Sequence, residues 1–515
     1  MYKVGFDTEK YVSIQTKTIK ERVAKFDKKL YLEFGGKLTN DFHAARVLPG
    51  YDPNAKIQVL RELARMSEIF YCVSAKDIQR GRVRHDFGLT YDQQALRDLE
   101  NLREHGLAVS GVVITRFEHE IMAERFWRKL TNRGYQVYVH NEIPNYPLDL
   151  DFIVSEKGYG AQPYLPTEKP IVIITGAGGG SGKMSVCLSQ IYHETTRGIS
   201  AGFAKFETFP IWNLPLDHPV NIAYEAATAD MGDINMVDPF HLAGYNQVTI
   251  NYNRDIDNFT VLKRLFKRIA DESNPVNQYL SPTDMGVNMV AAGIIDDDVV
   301  REAGKQEVIR RAFQYRAEVL EGIEKPETAE RAEMLLRKLG LKHTDRRVVG
   351  AARAAAAQAK AEGKGYAGVV CGAAIELPDG RMVTGKNSSL MHAESAAVLN
   401  AVKQLAGIAD HIDLIPQHLI TNINELKETI SGRRSASLNL EETLIVLAIS
   451  AAVSPPAELS VQHLSDLRGC EMHVTHIPSH GDEEGMRKLR LNYTSDSISP
   501  LAVMDELCEA KEGQA

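Results

Sequence analysis

The sequence predicts an α/β protein of several domains, in which mostly parallel sheets are flanked by helices and an α+β domain forms the carboxyl-terminal part. Three observations support this fold class. The chain has 515 residues, which is too long for one hydrophobic core, so about three domains are expected. Apolar runs alternate with helical patterns through its first two thirds. A hairpin pattern lies among helices in the last third. We place the domains at 1–165, 166–340 and 341–515.

The first domain shows the alternation of elements that is typical of parallel α/β sheets. Apolar residues at helical spacing predict a helix over 56–68, and two apolar runs predict buried strands over 67–75 and 107–117. A second helix over 116–134 ends at a glycine and leads to a strand over 135–140.

The second domain begins after a segment rich in proline and glycine. A β-branched strand at 171–174 precedes a glycine loop and a helix, and 198–209 is expected to be the next strand. The stretch 210–246 is expected to be a long irregular loop, of the kind that often carries function. A strand over 248–255 and further helices up to residue 340 complete this domain.

The third domain is predicted to be α+β. An alanine-rich helix precedes a hairpin over 371–388, which turns at the Pro-Asp-Gly sequence 378–380. Helices are expected over 389–407 and 438–453, and the second is apolar enough to be buried or to form a dimer face.

Charge and cysteine content exclude several function classes. The net charge of −8 and the absence of a basic block argue against nucleic-acid binding. Five widely spaced cysteines without a CxxC pair argue against a disulfide framework and fit a reducing compartment. No apolar segment is long enough to span a bilayer. We therefore expect a cytoplasmic protein with no membrane partner.

The segment between residues 170 and 185, PIVIITGAGGGSGKMS, is the strongest functional signal. Five glycines in seven residues follow an apolar strand and precede a lysine at the start of a helix. Glycine allows positive φ and close approach of a ligand, and the N–H groups of such a loop and helix end attract anions. The residues predicted to bind a phosphate or nucleotide are Gly176, Gly178, Gly179, Gly180, Ser181, Gly182, Lys183 and Ser185.

Two known loop patterns fit this segment only in part. The nucleoside-triphosphate loop GxxxxGK[ST] needs a glycine at position 177, where the chain has alanine, and a Ser or Thr at 184, where it has methionine. That hydroxyl normally holds Mg²⁺, although Ser185 follows directly. The TGxxxGxG pattern of short-chain dehydrogenases fits from Thr175 to Gly182, but no later tyrosine has the required lysine four residues on.

Acidic residues in the predicted loop 210–246 are candidates to complete the site. Asp230 and Asp233 are the candidate catalytic carboxylates, beside Lys183, because a carboxylate can hold a metal or act as a base. Asp238, His241 and, on the preceding strand, Glu207 have weaker claims.

The third domain carries a pattern like that of nucleobase deaminases. His392-Ala393-Glu394 lies at a helix start after a hairpin, as does the HxE of those enzymes, whose histidine binds zinc. The prolines at 455 and 456 are not followed by the cysteines of the PCxxC motif. The residues Cys470, His473, His476 and His480 have short spacing, but a strand would direct His473 and His476 to opposite faces. We therefore assign no metal ligands.

Several long blocks resemble the bacterial uncharacterised protein family 0371, which is also catalogued as a domain of unknown function. They lie at 30–53, 74–93, 174–194, 371–396 and 467–478, so the resemblance covers nearly the whole chain. It implies a cytosolic α/β protein whose middle part carries a loop like that of nucleotide-binding proteins, and it supplies no catalytic residues.

These observations predict a nucleotide- or phosphate-binding protein, in the form of a phosphotransferase or hydrolase that acts on a small metabolite. The expected cofactors are ATP or another nucleotide with Mg²⁺, and the expected partners are a small phosphorylated ligand and a second copy of the chain. A non-catalytic binding protein and an NAD(P)-dependent oxidoreductase are the two alternatives.

Overall fold

A computed structural model describes residues 3–26, 29–81, 83–84, 89–366, 368–431 and 437–499. The chain forms two compact units, one from Val4 to Gly304 and a second that contains the chain from Lys305 onwards. Each unit has its own sheet, and the two are described separately below.

Parallel strands at the centre of the first unit form a sheet of seven. The strands of this unit are β1 (Lys29–Phe34), β2 (Ser67–Ser74), β3 (Val83–Arg84), β4 (Leu89–Thr90), β5 (Val109–Phe117), β6 (Val137–Asn141), β7 (Ile171–Gly176), β8 (Ala201–Phe206), β9 (Asn235–Val237), β10 (Ile250–Tyr252) and β11 (Gly286–Val287). The seven-stranded sheet has the order β11-β8-β1-β7-β2-β5-β6. Two small antiparallel pairs, β3–β4 and β9–β10, lie outside it. Every residue of β1 and β7 is buried, as expected for central strands of a parallel sheet.

Helices connect these strands. They are α1 (Thr8–Val23), α2 (Phe42–Val47), α3 (Ala55–Leu63), α4 (Ala75–Gln79), α5 (Tyr91–Glu104), α6 (Ile121–Asn132), α7 (Leu150–Ile153), α8 (Lys183–Thr196), α9 (Pro219–Ala227), α10 (Pro239–Tyr245), α11 (Asn253–Ile269), α12 (Pro282–Met285) and α13 (Val290–Gly293). The sheet with its connecting helices confirms the predicted α/β class.

The strand order creates a crevice at the carboxyl edge of the sheet. Strands β7 and β2 are neighbours, but the chain leaves β7 towards β8 and leaves β2 towards β5, in opposite directions along the sheet. Ligands of open α/β sheets bind at such points, where the connections diverge. The loop after β7 is the glycine loop, so the fold places it at this crevice.

The sheet also corrects two expectations. Strands from both sides of residue 165 alternate within it, so a division between residues 165 and 166 does not separate two compact units. The stretch 210–246 is not an irregular loop, because it contains α9, β9 and α10. Each helix begins with a proline, and the residue before it, His218 for α9 and Asp238 for α10, caps the helix with its side chain. These helix-start signals were not recognised because the composition of the segment is otherwise typical of a loop.

The second unit combines helices with a mixed sheet. Its elements are α14 (Asp297–Leu320, which begins before the unit boundary), α15 (Pro326–Lys338), α16 (Arg347–Ala361), β12 (Gly372–Glu376), β13 (Met382–Lys386), α17 (Ala393–Ala406), α18 (Gln417–Ser431), α19 (Leu440–Ala451), α20 (Pro455–Gln462), β14 (Glu471–Val474), α21 (His480–Lys488) and β15 (Asn492–Ser495). The sheet order is β13-β12-β14-β15, with only the last pair parallel. This unit confirms the predicted α+β character of the carboxyl-terminal part.

Small residues allow helices to approach both faces of this sheet. A Cβ atom at Gly372 would lie 2.4 Å from the carbonyl oxygen of Ala352 in α16, and one at Gly385 would lie 2.2 Å from the amide nitrogen of Ala397 in α17. The core of the unit forms mainly between the sheet and α17, with α19 and α20 also contributing. None of the helices in the described part of the chain is both long enough and apolar enough to cross a membrane.

Candidate functional site

The glycine loop, residues 177–182, joins the central strand β7 to the long helix α8. Gly182 caps the helix with a φ of 81°, and Gly180 has a φ of 75°, both in the left-handed region that favours glycine. The amide of Ala177 donates to the carbonyl of Cys72 on β2, which fixes the start of the loop at the crevice.

The glycines of this segment have two different roles. Those at its ends are required by packing: a Cβ atom at Gly176 would lie 2.4 Å from the Cys72 carbonyl oxygen, and one at Gly182 would lie 2.8 Å from the Thr115 side chain. In the middle, a Cβ at Gly179 would meet only Met231, at 3.8 Å, and one at Gly180 would meet nothing within 4 Å. The middle of the loop therefore has an open side.

Lys183, the first residue of α8, folds back over the loop. Its Nζ atom donates to the carbonyl oxygen of Gly178 at 2.9 Å and to Oγ of Ser181 at 3.1 Å. The side chain is buried, and no carboxylate of the described residues lies within the 4 Å of an ion pair. The ammonium charge is thus held at the crevice by neutral oxygen atoms alone.

The backbone N–H groups of the same segment have no acceptors among the described residues. Those of residues 178–185 donate to no backbone or side-chain acceptor within the described chain. The first residues of a helix lack intrahelical acceptors, so α8 contributes Lys183, Met184 and Ser185 to this set, together with the positive end of its dipole. Ser181 donates its hydroxyl to Gly178, and Ser185 is half-buried in the first turn of α8.

The acidic residues predicted beside the loop have separate roles. The turn that carries Asp230 approaches the loop, because a Cβ atom at Gly179 would lie 3.8 Å from the sulfur of Met231, and Asp230 itself is exposed. Asp233 is buried and lies 3.3 Å from Arg254. Burial raises the pKa of Asp233, and Arg254 only partly opposes this.

Asp238 and His241 are used for structure. Asp238 caps α10 and also accepts hydrogen bonds from Asn251 and Thr283. Nδ1 of His241 lies 2.8 Å from Oγ of Ser281. Of the three acidic residues, Asp238 is therefore a buried structural residue, Asp233 is buried beside Arg254, and Asp230 is exposed next to Met231 on the turn that approaches the glycine loop.

A cluster of charged residues at the ends of β1 and β8 was largely missed by the sequence reasoning. Lys205 lies 2.7 Å from Glu207 and 2.6 Å from Asp255. Burial raises the pKa of Glu207 to about 7, although Lys205 counteracts this effect. Glu33 of β1 is the register partner of Lys205, and its Oε2 atom is buried without a hydrogen bond. Glu33, a charged residue within the apolar run of β1, was the feature of the sequence that could have indicated this cluster.

The second unit brings together residues from three helix starts. His392 precedes α17, Glu394 lies in its first turn, and Asp482 lies in the first turn of α21. Nδ1 of His392 is 2.7 Å from Oδ2 of Asp482, and the amide of Leu440, the first residue of α19, donates to Oδ1 of Asp482 at 2.8 Å. We call His392, Glu394 and Asp482 the carboxylate cluster.

These contacts shift the pKa values of the side chains in and beside the carboxylate cluster. Burial alone would lower the pKa of His392, but Asp482 outweighs it and the pKa is raised. Burial raises the pKa of Asp482, yet His392 and Ser479 bring it below its usual value. His476 lies 3.2 Å from Glu394, and its pKa is raised well above the usual value because Glu394 outweighs the effect of burial.

Sequence reasoning sought the partner of His392 in the wrong segment. The prolines at 455 and 456 begin α20, whereas the segment that follows β14, from Pro478 to Asp482, leads into the helix that faces His392. The signal was present in the sequence PSHGD, which follows a predicted strand. His473 lies on β14 and contacts Thr494, whereas His476 follows the end of the strand and contacts Glu394, so the two do not share one strand as the sequence pattern assumed.

Comparison with known proteins gives the family. The model of the domain of unknown function DUF1846, N-terminal, matches residues 4–340, and that of DUF1846, C-terminal, matches residues 344–500. A UPF0371 protein of Clostridium botulinum (strain Eklund 17B / Type B) is 49% identical over 500 residues, which are 97% of this chain and 98% of the relative. One of Clostridium tetani (strain Massachusetts / E88) is 49% identical over 501 residues, with the same coverage. The chain therefore belongs to the DUF1846 (UPF0371) family, and the resemblance to family 0371 is confirmed.

Proposed function

We propose that the glycine loop binds the phosphate group of a small molecule, either a nucleotide or another phosphorylated metabolite. The observation that carries this proposal is the buried ammonium group of Lys183, whose two partners among the described residues are the neutral oxygen atoms of Gly178 and Ser181. A buried charge without an opposite charge is costly, so this arrangement favours an anionic ligand that supplies one.

The geometry of the loop supports a phosphate in particular. Successive N–H groups of the loop and of the helix start have no acceptor among the described residues, and phosphate oxygens accept many hydrogen bonds at once. Open space at Gly179 and Gly180 gives a ligand access to the backbone. The position at the diverging connections of β7 and β2 is where open α/β sheets bind ligands.

Transfer or hydrolysis of the bound phosphate is a second candidate. The carboxyl group of Glu207, whose pKa is about 7, lies at the end of β8 and could accept a proton at neutral pH. Lys183 would stabilise the negative charge that develops on the phosphate. Met184 stands where the usual loop supplies a hydroxyl for Mg²⁺, so binding without turnover remains the primary proposal. We place this activity in the cytoplasm, because the five cysteines of the chain are widely spaced and form no CxxC pair, as is usual in a reducing compartment.

Isothermal titration tests the proposal. The protein is titrated with pyrophosphate, ATP, GTP and NADP, and Lys183→Met and Lys157→Met are compared with the wild type. Lys157 is an exposed lysine of the same unit and serves as the matched control. Because a hydrogen bond to a charged group contributes about 1.5–3 kcal/mol, we expect Lys183→Met to weaken binding roughly 10- to 100-fold.

The control variant should bind as the wild type does. Failure of the wild type to bind any of the four compounds would refute the proposal, as would equal affinity in Lys183→Met. Release of inorganic phosphate from ATP, measured in the same samples, distinguishes an enzyme from a binding protein.

A further inference from the structure

The carboxylate cluster is buried to an unusual degree for acidic side chains. Glu394 and Asp482 have side chains that are 0% exposed, and His392 is 25% exposed. Acidic residues are almost never fully buried unless they are paired or bind a metal. The surroundings of each oxygen atom therefore decide what the cluster is for.

Asp482 has donors for both of its oxygen atoms. Oδ1 accepts from the amide of Leu440, and Oδ2 lies 2.7 Å from His392 and 2.6 Å from the hydroxyl of Ser479. These contacts hold the carboxylate in one orientation, towards His392.

Glu394 differs from Asp482. Neither of its oxygen atoms has a hydrogen-bond partner among the described residues. His476 lies 3.2 Å from Oε1 and supplies an opposite charge on that side. No described residue donates a hydrogen bond to Oε2. A buried carboxylate oxygen in this condition costs a free energy that a ligand could recover.

The three side chains converge closely enough to share one ion. One ligand atom from each of His392, Glu394 and Asp482 lies within 4.8 Å of the others. No other group of three or more His, Cys, Asp or Glu residues meets this distance within the part of the chain that the structure describes. Small side-chain rotations would bring the three atoms to the separations found around a bound cation, because metal–ligand distances are about 2.0–2.2 Å.

The order of elements gives independent support. Zinc deaminases hold their metal with the histidine of HxE at one helix start and the cysteines of PCxxC at another, whereas their glutamate is not a ligand, so this comparison supports His392 and Asp482 and not Glu394. Here HxE begins α17, and the sequence Pro478-Ser479-His480-Gly481-Asp482 begins α21, so serine and aspartate occupy the two cysteine positions. Aspartate retains a metal-binding oxygen, whereas the thiolates that favour zinc over harder cations are absent.

We propose that His392, Glu394 and Asp482 bind one divalent cation of the Zn²⁺ or Mn²⁺ class. One imidazole and two carboxylates suit these ions, and a site with three protein ligands leaves a coordination position for water or a substrate atom. His392 is the partly exposed member, so this position opens towards solvent on its side. The inference is independent of the glycine loop, because all three ligands belong to the second unit.

Metal binding to the full chain tests the inference. The protein is stripped with a chelator and dialysed against Zn²⁺, Mn²⁺ or Mg²⁺, and the bound metal is measured by elemental analysis. We expect about one Zn²⁺ or Mn²⁺ per chain and much weaker binding of Mg²⁺, which prefers a shell of oxygen ligands and water. Glu394→Gln and Asp482→Asn should each weaken binding by about tenfold or more.

Asp466→Asn is the matched control. His463 and Asp466 form another His–Asp pair in the same unit, also 2.7 Å apart, but both are partly exposed and no third ligand joins them. This variant should retain full affinity. If Asp482→Asn does not fold, as judged by circular dichroism, Glu394→Gln alone decides the question, because it is nearly isosteric.

Two results would overturn the inference. One is a stripped wild type that takes up neither Zn²⁺ nor Mn²⁺ at about 100 μM, the weak end of ordinary protein metal sites. The other is uptake that is identical in Glu394→Gln and in the wild type, which would place the ion elsewhere.

Discussion

The glycine loop and the carboxylate cluster are opposite solutions to the same problem of burying charge. The loop buries one ammonium group, that of Lys183, in a segment whose backbone N–H groups have no acceptor in the described chain. The cluster buries two carboxylates, and one of them, Glu394, lacks a hydrogen-bond donor to Oε2 among the residues that the structure describes. In each case the polar atoms that lack partners indicate the ligand, an anion for the N–H groups beside Lys183 in the first unit and a cation for the Glu394 oxygen atoms in the second.

The two regions also differ in how they are built from the sequence. The loop consists of adjacent residues, so its conformation depends on local backbone geometry. The cluster joins residues that are 90 positions apart, His392 and Asp482, and it exists only when α17 and α21 are in place. Mutations in the loop should therefore lower stability mainly by straining the backbone, and mutations in the cluster mainly by removing the contacts between its side chains.

The largest expected effect concerns loop strain. Gly182→Ala introduces a Cβ atom 2.8 Å from the Thr115 side chain at a residue with positive φ, and we expect a loss of about 3 kcal/mol in the free energy of unfolding. Gly180→Ala has positive φ but open space, so its loss should be about 1 kcal/mol. Urea denaturation measures both. Equal losses would show that packing against Thr115 does not fix the loop.

A smaller effect separates structural acids from ligand-binding acids. Asp238→Ala leaves four hydrogen-bond donors without their acceptor, and we expect a loss of about 2 kcal/mol in stability. Pyrophosphate affinity should stay unchanged, as measured by titration. A stable Asp238→Ala protein with weakened binding would instead place this residue in the site.

A third prediction concerns Glu207, a buried acid of the first unit whose ionisation should make the free energy of unfolding depend on pH. Its pKa in the folded state, about 7, lies above its value in the unfolded chain, so the folded state binds more protons between these values. By linkage, its contribution to stability is complete below the unfolded pKa and declines as the pH rises towards 7. Glu207→Gln removes this decline.

The stability of Glu207→Gln relative to the wild type should therefore increase by about 1–3 kcal/mol between pH 5 and pH 8. Denaturation curves at several pH values measure the difference, in which other ionisable groups cancel. A difference that is constant over this range would mean that Glu207 is ionised throughout, with Lys205 as a full partner.

The smallest expected effect concerns Asp230. This residue is exposed, so Asp230→Asn should change stability by less than about 0.5 kcal/mol. Removal of a negative charge near an anion site should strengthen pyrophosphate binding about twofold. Weaker binding of a nucleotide with Mg²⁺ would contradict this and would indicate that Asp230 helps to hold the metal.

Much of the fold could be predicted from patterns along the chain. The hairpin β12–β13, the strands β2 and β5 and the glycine loop followed by α8 lie where periodicity and glycine placement predicted them, within a few residues. Strand β1 was not predicted, because it is short and includes Glu33. This strand belongs to the first predicted domain but lies between β7 and β8 of the second, so the two predicted domains share one sheet. Patterns along the chain do not reveal such pairing between distant strands.

The glycine loop could be predicted from the sequence more readily than the carboxylate cluster. The glycine loop is a contiguous motif, and the structure brings its backbone groups and Lys183 together as the pattern suggested. Asp482 was not considered, because its role depends on a helix start 90 residues after His392. A search that compared each strand–helix junction with the PCxxC pattern, and allowed oxygen ligands in place of cysteine, would have found it.

The central claim is that the glycine loop binds an anion and the carboxylate cluster binds a cation. Thermal unfolding curves test it most directly, because a ligand that binds the folded state raises Tm. The wild type, Lys183→Met and Glu394→Gln are each unfolded with pyrophosphate and, separately, with Zn²⁺ after chelation. We predict that pyrophosphate stabilises the wild type and Glu394→Gln but not Lys183→Met, and that Zn²⁺ stabilises the wild type and Lys183→Met but not Glu394→Gln. Stabilisation that persists in both variants with both ligands would contradict the assignment of an anion to one unit and a cation to the other.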